Sequence, residues 1–432
     1  MDKAKISGER ALEFVKQFEH IREAGTAGER SAAEKIRGYL ENQVLGSIVC
    51  AGADGRAKED QASGIVIRQE PFSFIEQEIQ EARLIVTEPY EKEYTVTGCG
   101  GCGSTPPEGV EAPFLYVENS DEISLSYARG RIVLINGIVR RELYRELVRA
   151  GAAGFVMLSG TPLDEGEDLR PARRKVRGLE ETPIQGVTVH YKDAAELVEQ
   201  GASRARLVLR QRQVTRTSQN LVVRIQGTDR AQEILTVSAH YDSVPEGPGA
   251  YDNMAGAAIV MELCRYFTLH RPRRTMEFLW FGAEEKGLLG SLDYVCRHRE
   301  ELAAHRFNMN VDLAGQTVGG TVIGLAGEPE VCRILQAYAR EAGMGVSFKN
   351  QIWGSDSNSF AWKGIPAMTL NRDGFGMHTR HDTVDLLSAW SLERSCRLLA
   401  MIAERLAQAE VFPFDRKVPK KFLEELEQYF EK

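Results

Sequence analysis

Apolar runs of strand length and segments with helical periodicity alternate along the second half of the chain, from about residue 217. The runs lie in NLVVRIQG, EILTVSAHYDS, TMEFLWFGAEE, FNMNVDLAG and IPAMTLNR, and the longest helical segments are NMAGAAIVMELCRYFTLH and SAWSLERSCRLLAMIAERLAQAEV. Strands that are apolar on both faces and are joined by helices are typical of parallel sheets. The pattern therefore predicts an α/β fold, with a mostly parallel mixed sheet covered by helices on both faces.

The first half of the chain shows two further patterns. Residues 10–43 carry apolar positions at three- and four-residue steps, which predicts two amphipathic helices. From 84 to 216 the pattern changes to short β runs such as APFLYV, GRIVLING, AGFVMLSG and GVTVHY, separated by loops rich in Gly and Pro. We therefore predict a discontinuous α/β domain (1–83 and 217–413), an inserted β-rich domain (84–216), and a C-terminal tail (414–432) that ends in a surface helix.

Acidic and histidine residues recur in the α/β part where a predicted strand gives way to a turn. They are His240, Asp252, the pair Glu284–Glu285, Asp312 and His378. Ligands of open α/β sheets bind outside the carboxyl ends of the strands, and zinc takes His nitrogen and Asp or Glu oxygen. An isolated Glu pair is usually solvated surface, but this pair ends a strongly apolar strand, where carboxylates without a partner are costly. The set predicts a hydrolytic centre with two zinc ions.

Several segments carry a resemblance to a known family: AHYDS, GAYDNMAG, FGAEEKGLLGS, NVDLAG, SDSNSFAWKGIPA and MHTRHDT. In this order they resemble the M28 family of zinc peptidases, the aminopeptidase group, and the resemblance covers more than half of the chain. The inserted module, with RIVLING, AGAAGFVMLSG and GVTVHYKDAAELV, resembles a protease-associated (PA) domain. The resemblance implies a zinc exopeptidase fold with a PA-like domain inserted into it.

The M28 resemblance implies a role for each residue of the centre. Two Zn²⁺ ions per chain would be bridged by Asp252. Each site would be completed by one acidic residue and one histidine, namely Glu285 with His378 and Asp312 with His240. His381 is the rival to His378, but the family places the ligand on the first histidine of MHTRHDT.

The resemblance also implies the catalytic residues. Glu284 would be the general base. Asp242 would accept a hydrogen bond from the imidazole of His240 and orient it, as the outer partners of metal ligands do. The Asp252–Asn253 peptide is expected to be cis. Some relatives carry a tyrosine before the Ser-Asp pair that stabilises the oxyanion, but this chain has Ile352–Trp353–Gly354 there, so the oxyanion donor is left unassigned.

The implied activity is that of a metallo-aminopeptidase, which removes N-terminal residues from peptides with a free N-terminus by means of a water bridged by two zinc ions. Three other interpretations stay open. They are an amidohydrolase of the M20 type, which AHYDSVPEG also resembles, a glutaminyl-cyclase-like enzyme with one zinc, and a non-catalytic binding protein on a peptidase fold. M20 enzymes insert a lid domain between the later ligands, whereas core elements fill the interval from Asp312 to His378 here. Zinc content separates the binding-protein interpretation from the enzymes.

Composition narrows the partners and the compartment. The 54 basic and 62 acidic residues give a net charge of −8, which disfavours nucleic acid or an anionic membrane as the main partner. No apolar stretch reaches the ~18–20 residues of a membrane span, and the N-terminus lacks the apolar region of a secretory signal. Seven cysteines, an odd number spread over the chain, do not resemble a disulfide framework. We expect a cytoplasmic monomer or homodimer, and a trimmed export signal stays open.

Overall fold

The structure is a computed structural model that describes residues 6–44, 58–60, 64–176 and 182–430. It divides into two compact units. The first contains the residues up to Phe74 together with Arg216–Phe430, and the second spans Ile75–Thr215. The second unit begins earlier in the chain than the predicted insertion at 84–216, because one continuous strand, Ile65–Glu88, runs through the predicted boundary.

The secondary structure of the described residues is as follows. The strands are β1 (Lys58–Asp60), β2 (Ile65–Glu88), β3 (Lys92–Tyr94), β4 (Val96–Gly100), β5 (Val110–Val117), β6 (Ile132–Ile135), β7 (Gly154–Ser159), β8 (Arg174–Lys175), β9 (Gly186–His190), β10 (Arg204–Ile225), β11 (Arg230–His240), β12 (Arg274–Phe281), β13 (His305–Val311), β14 (Thr321–Ala326), β15 (Ser347–Lys349) and β16 (Ala367–Arg372). The α-helices are α1 (Gly8–Val15), α2 (Ala27–Tyr39), α3 (Glu122–Ser126), α4 (Arg141–Ala150), α5 (Tyr191–Glu199), α6 (Ala255–Leu269), α7 (Leu289–Arg297), α8 (Pro329–Glu341), α9 (Ser357–Trp362), α10 (Ala389–Gln408) and α11 (Lys420–Phe430). No helix of the described residues has the length and apolar composition of a membrane span.

The first unit is built on a mixed sheet with the strand order β15-β14-β16-β13-β11-β12-β10. The central strands β12, β11, β13 and β16 run parallel to one another. Strand β14 pairs antiparallel with β16 and parallel with β15, and β10 pairs antiparallel with β12. Every residue of β12 is buried, as expected for a strand covered on both sides. The predicted α/β fold with a mostly parallel sheet is therefore confirmed.

Alternation along the strands separates two apolar layers in this unit. On β12, Phe278 and Trp280 point into the core formed with helices α1, α2, α6, α8 and α10. Their neighbours Leu279 and Phe281 point into a second core, formed with α7, α9 and α11. Because side chains alternate between the faces of a strand, the sheet carries a helical layer on each side.

The second unit has its own core, built on parallel strands in the order β5-β6-β7-β9. Its helix α4 ends at Gly151, which has φ of +77° and closes the helix in the left-handed conformation that glycine tolerates best. The stretch TVTGCGGCGSTPPEGV (95–110), whose Gly and Pro residues predict a loop, contains β4, which pairs with β9. Cys99 on this strand and nearby Cys102 are buried free thiols.

The C-terminal tail ends in a helix as predicted, and one face of this helix is buried. Phe422 and Leu426 on α11 are buried in the same apolar layer as Phe360 of α9. In addition, the indole of Trp362 donates a hydrogen bond of 2.6 Å to Glu427. The tail is therefore an integral part of the first unit, which extends to Phe430.

Glu29 on α2 is a buried carboxyl group far from the predicted site in sequence. It accepts hydrogen bonds from the Gly25 amide at 2.6 Å and from the Ser218 hydroxyl. Burial raises the pKa of Glu29 from its ordinary value of 4.5 to about 8. The folded protein therefore holds this carboxyl protonated at neutral pH.

Truncation of Leu426 tests the packing of the tail. We expect Leu426→Ala to lower the free energy of unfolding of the first unit by about 2–4 kcal/mol, since it leaves a cavity in a fully buried position. The exposed neighbour Glu424→Ala is the control and should change it by less than about 0.5 kcal/mol. Urea denaturation followed by tryptophan fluorescence reports on this unit, because its sequence contains all four tryptophans. Equal effects of the two substitutions would contradict the packing.

Replacement of Glu29 tests its raised pKa. The stability that a protonated Glu29 contributes is fully present below about pH 4.5 and is lost as pH rises through about 8, because the folded state binds the proton more tightly than the unfolded state. Glu29→Gln stays neutral, so we expect it to stabilise chelator-treated protein relative to wild type at pH 9 but not at pH 4.5, with a change of at most about 1.4 kcal/mol per pH unit. Thermal melts across this range measure the difference, and a pH-independent difference would refute the assignment.

Candidate metal centre

Three predicted site residues lie at the carboxyl ends of three neighbouring strands. His240 is the last residue of β11, Glu284 comes shortly after β12, and Asp312 directly follows β13. Strand β11 pairs parallel with both β12 and β13. The carboxyl ends of the three strands therefore meet at one edge of the sheet and bring these side chains together.

Asp252 and His378 reach the same edge from turns. Asp252 lies in the turn Ala250–Met254 before α6, where its backbone is not helical, and its peptide bond with Asn253 is cis, as predicted. The Asn253 side chain donates to the carbonyl of Val311 at 2.8 Å, which ties this turn to the end of β13. His378 follows β16 and has φ of +59°, a conformation that is uncommon for a residue other than glycine.

Asp252 lies between the two imidazoles and offers one carboxylate oxygen to each. Its Oδ1 is 3.2 Å from Nε2 of His240, and its Oδ2 is 3.0 Å from Nε2 of His378. Asp312 and Glu285 each lie beside one of the imidazoles. Oδ1 of Asp312 is 3.5 Å from Nε2 of His240, and Oε2 of Glu285 is 3.3 Å from Nε2 of His378. It is thus His378, the first histidine of its motif, that meets Asp252 and Glu285.

These donor atoms fit zinc. Atoms bonded tetrahedrally at about 2.0–2.2 Å to one zinc ion lie roughly 3.3–3.6 Å apart, close to the distances found here. Neither ring nitrogen of His240 makes a hydrogen bond with another described residue, although the ring is buried. Potential ligand atoms of His240, Asp252 and Glu285 lie within 4.8 Å of one another. Nitrogen and oxygen donors in this arrangement are those that zinc prefers.

Glu284 belongs to the same cluster but faces a different part of it. Its carboxylate forms a second compact group with His240 and Asp312, with ligand atoms within 4.8 Å of one another. Its Oε2 is 3.9 Å from Nε2 of His240. Burial raises the pKa of the Glu284 carboxyl well above its ordinary value. Glu284 thus adjoins the predicted ligands and has an environment that favours proton binding.

Asp242 faces His240 and also has a second set of contacts. Its Oδ1 is 3.4 Å from Nδ1 of His240. Its two oxygens accept the backbone amides of Glu284 at 3.0 Å and Glu285 at 3.2 Å. The role of Asp242 in orienting His240 stays a prediction. Asp242 in addition holds the turn that carries the two glutamates.

Asp382 makes an equivalent contact with the turn of Asp252, and the sequence reasoning missed it. Its carboxylate accepts the amide of Tyr251 at 2.6 Å and the amide of Asp252 at 3.0 Å. Its signal in the sequence is its place in the motif MHTRHDT, directly after His381. Two aspartates thus use backbone amides to fix the two turns that present carboxylates.

The electrostatic environment of the centre favours added positive charge. Burial raises the pKa of Glu285 to about 7 and that of Asp356, at the start of α9, to about 7. Burial disfavours the charged form of His378, but Asp252 and Glu285 outweigh this effect and raise its pKa to about 11. Carboxylates that are buried together resist ionisation unless cations offset them. A divalent cation supplies this compensation more fully than protons do.

Comparison with known proteins gives the family context. Residues 220–403 match the model described as Peptidase family M28, and every predicted metal ligand falls within this range. Carboxypeptidase Q of Mus musculus is 26% identical over 359 residues, which cover 76% of this chain and 74% of that protein. Aminopeptidase YwaD of Bacillus subtilis (strain 168) is 29% identical over 229 residues, which cover 52% of this chain and 48% of that protein.

The fold also has solved counterparts. The crystal structure of BSAP, a zinc aminopeptidase from Bacillus subtilis, matches with a TM-score of 0.76 at 22% identity, over 95% of this chain and 98% of that chain. At this level of identity the likeness concerns the fold. It agrees with the α/β architecture described above.

Proposed function

The chain belongs to peptidase family M28 through residues 220–403, and we propose that it is a zinc aminopeptidase with two metal ions per chain. The chain is a peptide hydrolase by its family; the metal count and the end of the peptide that it attacks are our inference. The observation that carries the proposal is the position of Asp252, whose two carboxylate oxygens each face a different imidazole. A carboxylate in that position suits a bridge between two metal ions.

The distances support a ligand assignment. Asp252 is the shared ligand. Asp312 and His240 form one site with it, and Glu285 and His378 form the other. Each site thereby has one imidazole and two carboxylates from the chain, which leaves room for water and substrate as in catalytic zinc sites. When bound, the metal ions supply Lewis-acid chemistry, polarising the scissile carbonyl and acidifying a water molecule.

Glu284 is the proposed general base. It adjoins both His240 and Asp312, and Asp242 holds its backbone amide. It takes the proton from the attacking water and passes it to the leaving amine, and its raised pKa brings it toward the range that suits proton transfer in both directions. The surplus of carboxylates around the site also favours a substrate with a positively charged α-amino group.

The other interpretations now carry less support. Membership of family M28 argues against an M20-type amidohydrolase, and retention of the complete ligand set argues against a binding protein. The glutaminyl-cyclase-like alternative would use one metal ion, and metal content separates it. The remaining competitor is release from the C-terminus, since relatives with opposite end preferences in their names match this chain.

We also infer that the second unit, Ile75–Thr215, is the PA-like module. Support comes from its separate core of parallel strands β5, β6, β7 and β9 with interspersed helices.

Expression of residues 75–215 alone should yield a folded domain with a cooperative thermal transition. A chain that stays unfolded would argue against an independent module.

Replacement of Glu284 tests the base. Glu284→Gln keeps the volume and the Asp242 contact with the backbone but loses the proton acceptor. We expect the zinc content to stay at the wild-type value and kcat to fall by about 10²–10⁴-fold. Glu330→Gln, an exposed glutamate on α8, is the matched control and should keep full activity. Unchanged turnover in Glu284→Gln would eliminate this residue as the base.

End selectivity is tested with two forms of one peptide. The first has a free N-terminus and a C-terminal amide, and the second has an acetylated N-terminus and a free C-terminus. We expect release of N-terminal residues from the first form only, read by mass spectrometry, and loss of this release after treatment with a chelator. Release of C-terminal residues from the second form would replace the aminopeptidase assignment with a carboxypeptidase.

A further inference from the structure

Arg22 is a fully buried arginine in the segment between α1 and α2. It lies almost two hundred residues before the part of the chain that matches the peptidase family. Burial lowers the pKa of Arg22 to about 10, so the guanidinium stays charged at neutral pH. A buried cation is costly unless its donors and its charge are both satisfied.

The guanidinium donates to main-chain carbonyls on both ends of one loop. Nε donates to the carbonyl of Tyr241 at 2.7 Å, and Nη2 donates to the carbonyl of Gly249 at 2.9 Å. Nη1 donates to the carbonyl of Pro248. The loop 241–249 joins the proposed ligand His240 to the turn of Asp252. The rigid fork of one arginine thus spans the connection between two proposed ligands.

The main chain of Arg22 is fastened to the same loop. Its amide donates to the Ser243 hydroxyl at 2.9 Å, and the Ser243 amide donates to the Arg22 carbonyl at 3.2 Å. Gly247, on the same loop, lies so close to the carbonyl of Thr379 that a Cβ would be 2.1 Å from its oxygen. Thr379 follows His378, so a displacement of this loop would also disturb the turn of the second proposed histidine.

The residues next to Arg22 contact the other turn that carries ligands. Glu23 forms an ion pair of 2.9 Å with Lys286, the residue after Glu285. Ala24 packs in a small apolar cluster with Ala283, the residue before Glu284. The segment 22–24 therefore touches the chain on either side of the two glutamates as well as the loop 241–249.

We propose that Arg22 is a positioning residue of the metal centre, whose hydrogen bonds hold the loop 241–249 so that His240 and Asp252 face the same ion. This inference rests on the proposed function, since it assumes that the cluster binds metal. The side chain acts through main-chain acceptors. Its charge also lies near the carboxylates of Asp242 and Asp382 and offsets their repulsion.

Two variants separate a role of Arg22 in hydrogen bonding from a role of its charge. Arg22→Lys keeps the positive charge but cannot reach several carbonyls at once, and Arg22→Gln loses both. If Arg22 acted by charge alone, Arg22→Lys would behave as wild type, and Arg22→Gln would bind Zn²⁺ more tightly because a nearby cation had been removed. If it acts by holding the loop, both variants weaken binding.

The experiment measures the loop and the metal separately. Amide hydrogen exchange on metal-free protein reports the loop, and competition with a chromogenic chelator reports the dissociation constant for Zn²⁺. We expect exchange within 241–250 to accelerate at least about tenfold, and the dissociation constant to rise at least about tenfold, in both Arg22 variants. Arg274→Gln is the control, because Arg274 is equally buried and bonds the carbonyls of Leu406 and Ala409 at the opposite end of β12. It should lower the melting temperature but change both readouts by less than about twofold.

Each remaining outcome has a defined meaning. Unchanged exchange and Zn²⁺ affinity in folded Arg22 variants would overturn the proposal. Failure of both Arg22 variants to fold, with Arg274→Gln folded, would assign Arg22 to folding alone and overturn it too. If the wild type bound no Zn²⁺, the proposed function would fall. The exchange data would then still show whether Arg22 holds the loop, so the two failures are distinguishable.

Discussion

Burial of several carboxylates at the carboxyl ends of β11, β12 and β13 is the constraint on which the rest of the first unit depends. Ionised carboxylates removed from water repel one another and lose hydration. The structure offsets this cost with two imidazoles, with the backbone amides that Asp242 and Asp382 accept, and with Arg22. Burial and the neighbouring Asp252 still raise the pKa of Glu285 to about 7.

The surrounding fold keeps these groups in place. Parallel pairing of β11 with both of its neighbours fixes the spacing of the strand ends, and the apolar layers on both faces make that pairing rigid. Asp252 and His378 do not come from strand ends. They depend on turns, which Asn253 and Asp382 fasten to the sheet edge and to each other. Rigid strands and fastened turns together give a site whose donors are already close to the spacing of zinc ligands.

The strands and long helices of the first unit could be predicted from the sequence because their apolar runs have characteristic lengths and periods. The proposed ligands could be named because they end those runs in motifs that resemble a family. The contacts of Asp382, Glu29 and Arg22 with Asp252, Ser218 and the loop 241–249 could not be predicted, since these partners lie far away in the sequence and short motifs do not record such contacts. The contacts of Asp242 with the amides of Glu284 and Glu285 could not be predicted for the same reason, because the turn after β12 lies far from Asp242 in the sequence. The buried face of α11 could not be predicted because charged residues dominate its sequence.

The central claim is that Asp252 is shared by two metal ions. A crystal grown with zinc, with anomalous diffraction recorded on both sides of the zinc absorption edge, tests it directly. We predict two anomalous peaks, one contacted by His240, Asp312 and Asp252, and the other by Glu285, His378 and Asp252. A map without a peak among these residues would contradict the metal centre, and a single peak that Asp252 does not contact would contradict its role as the bridge.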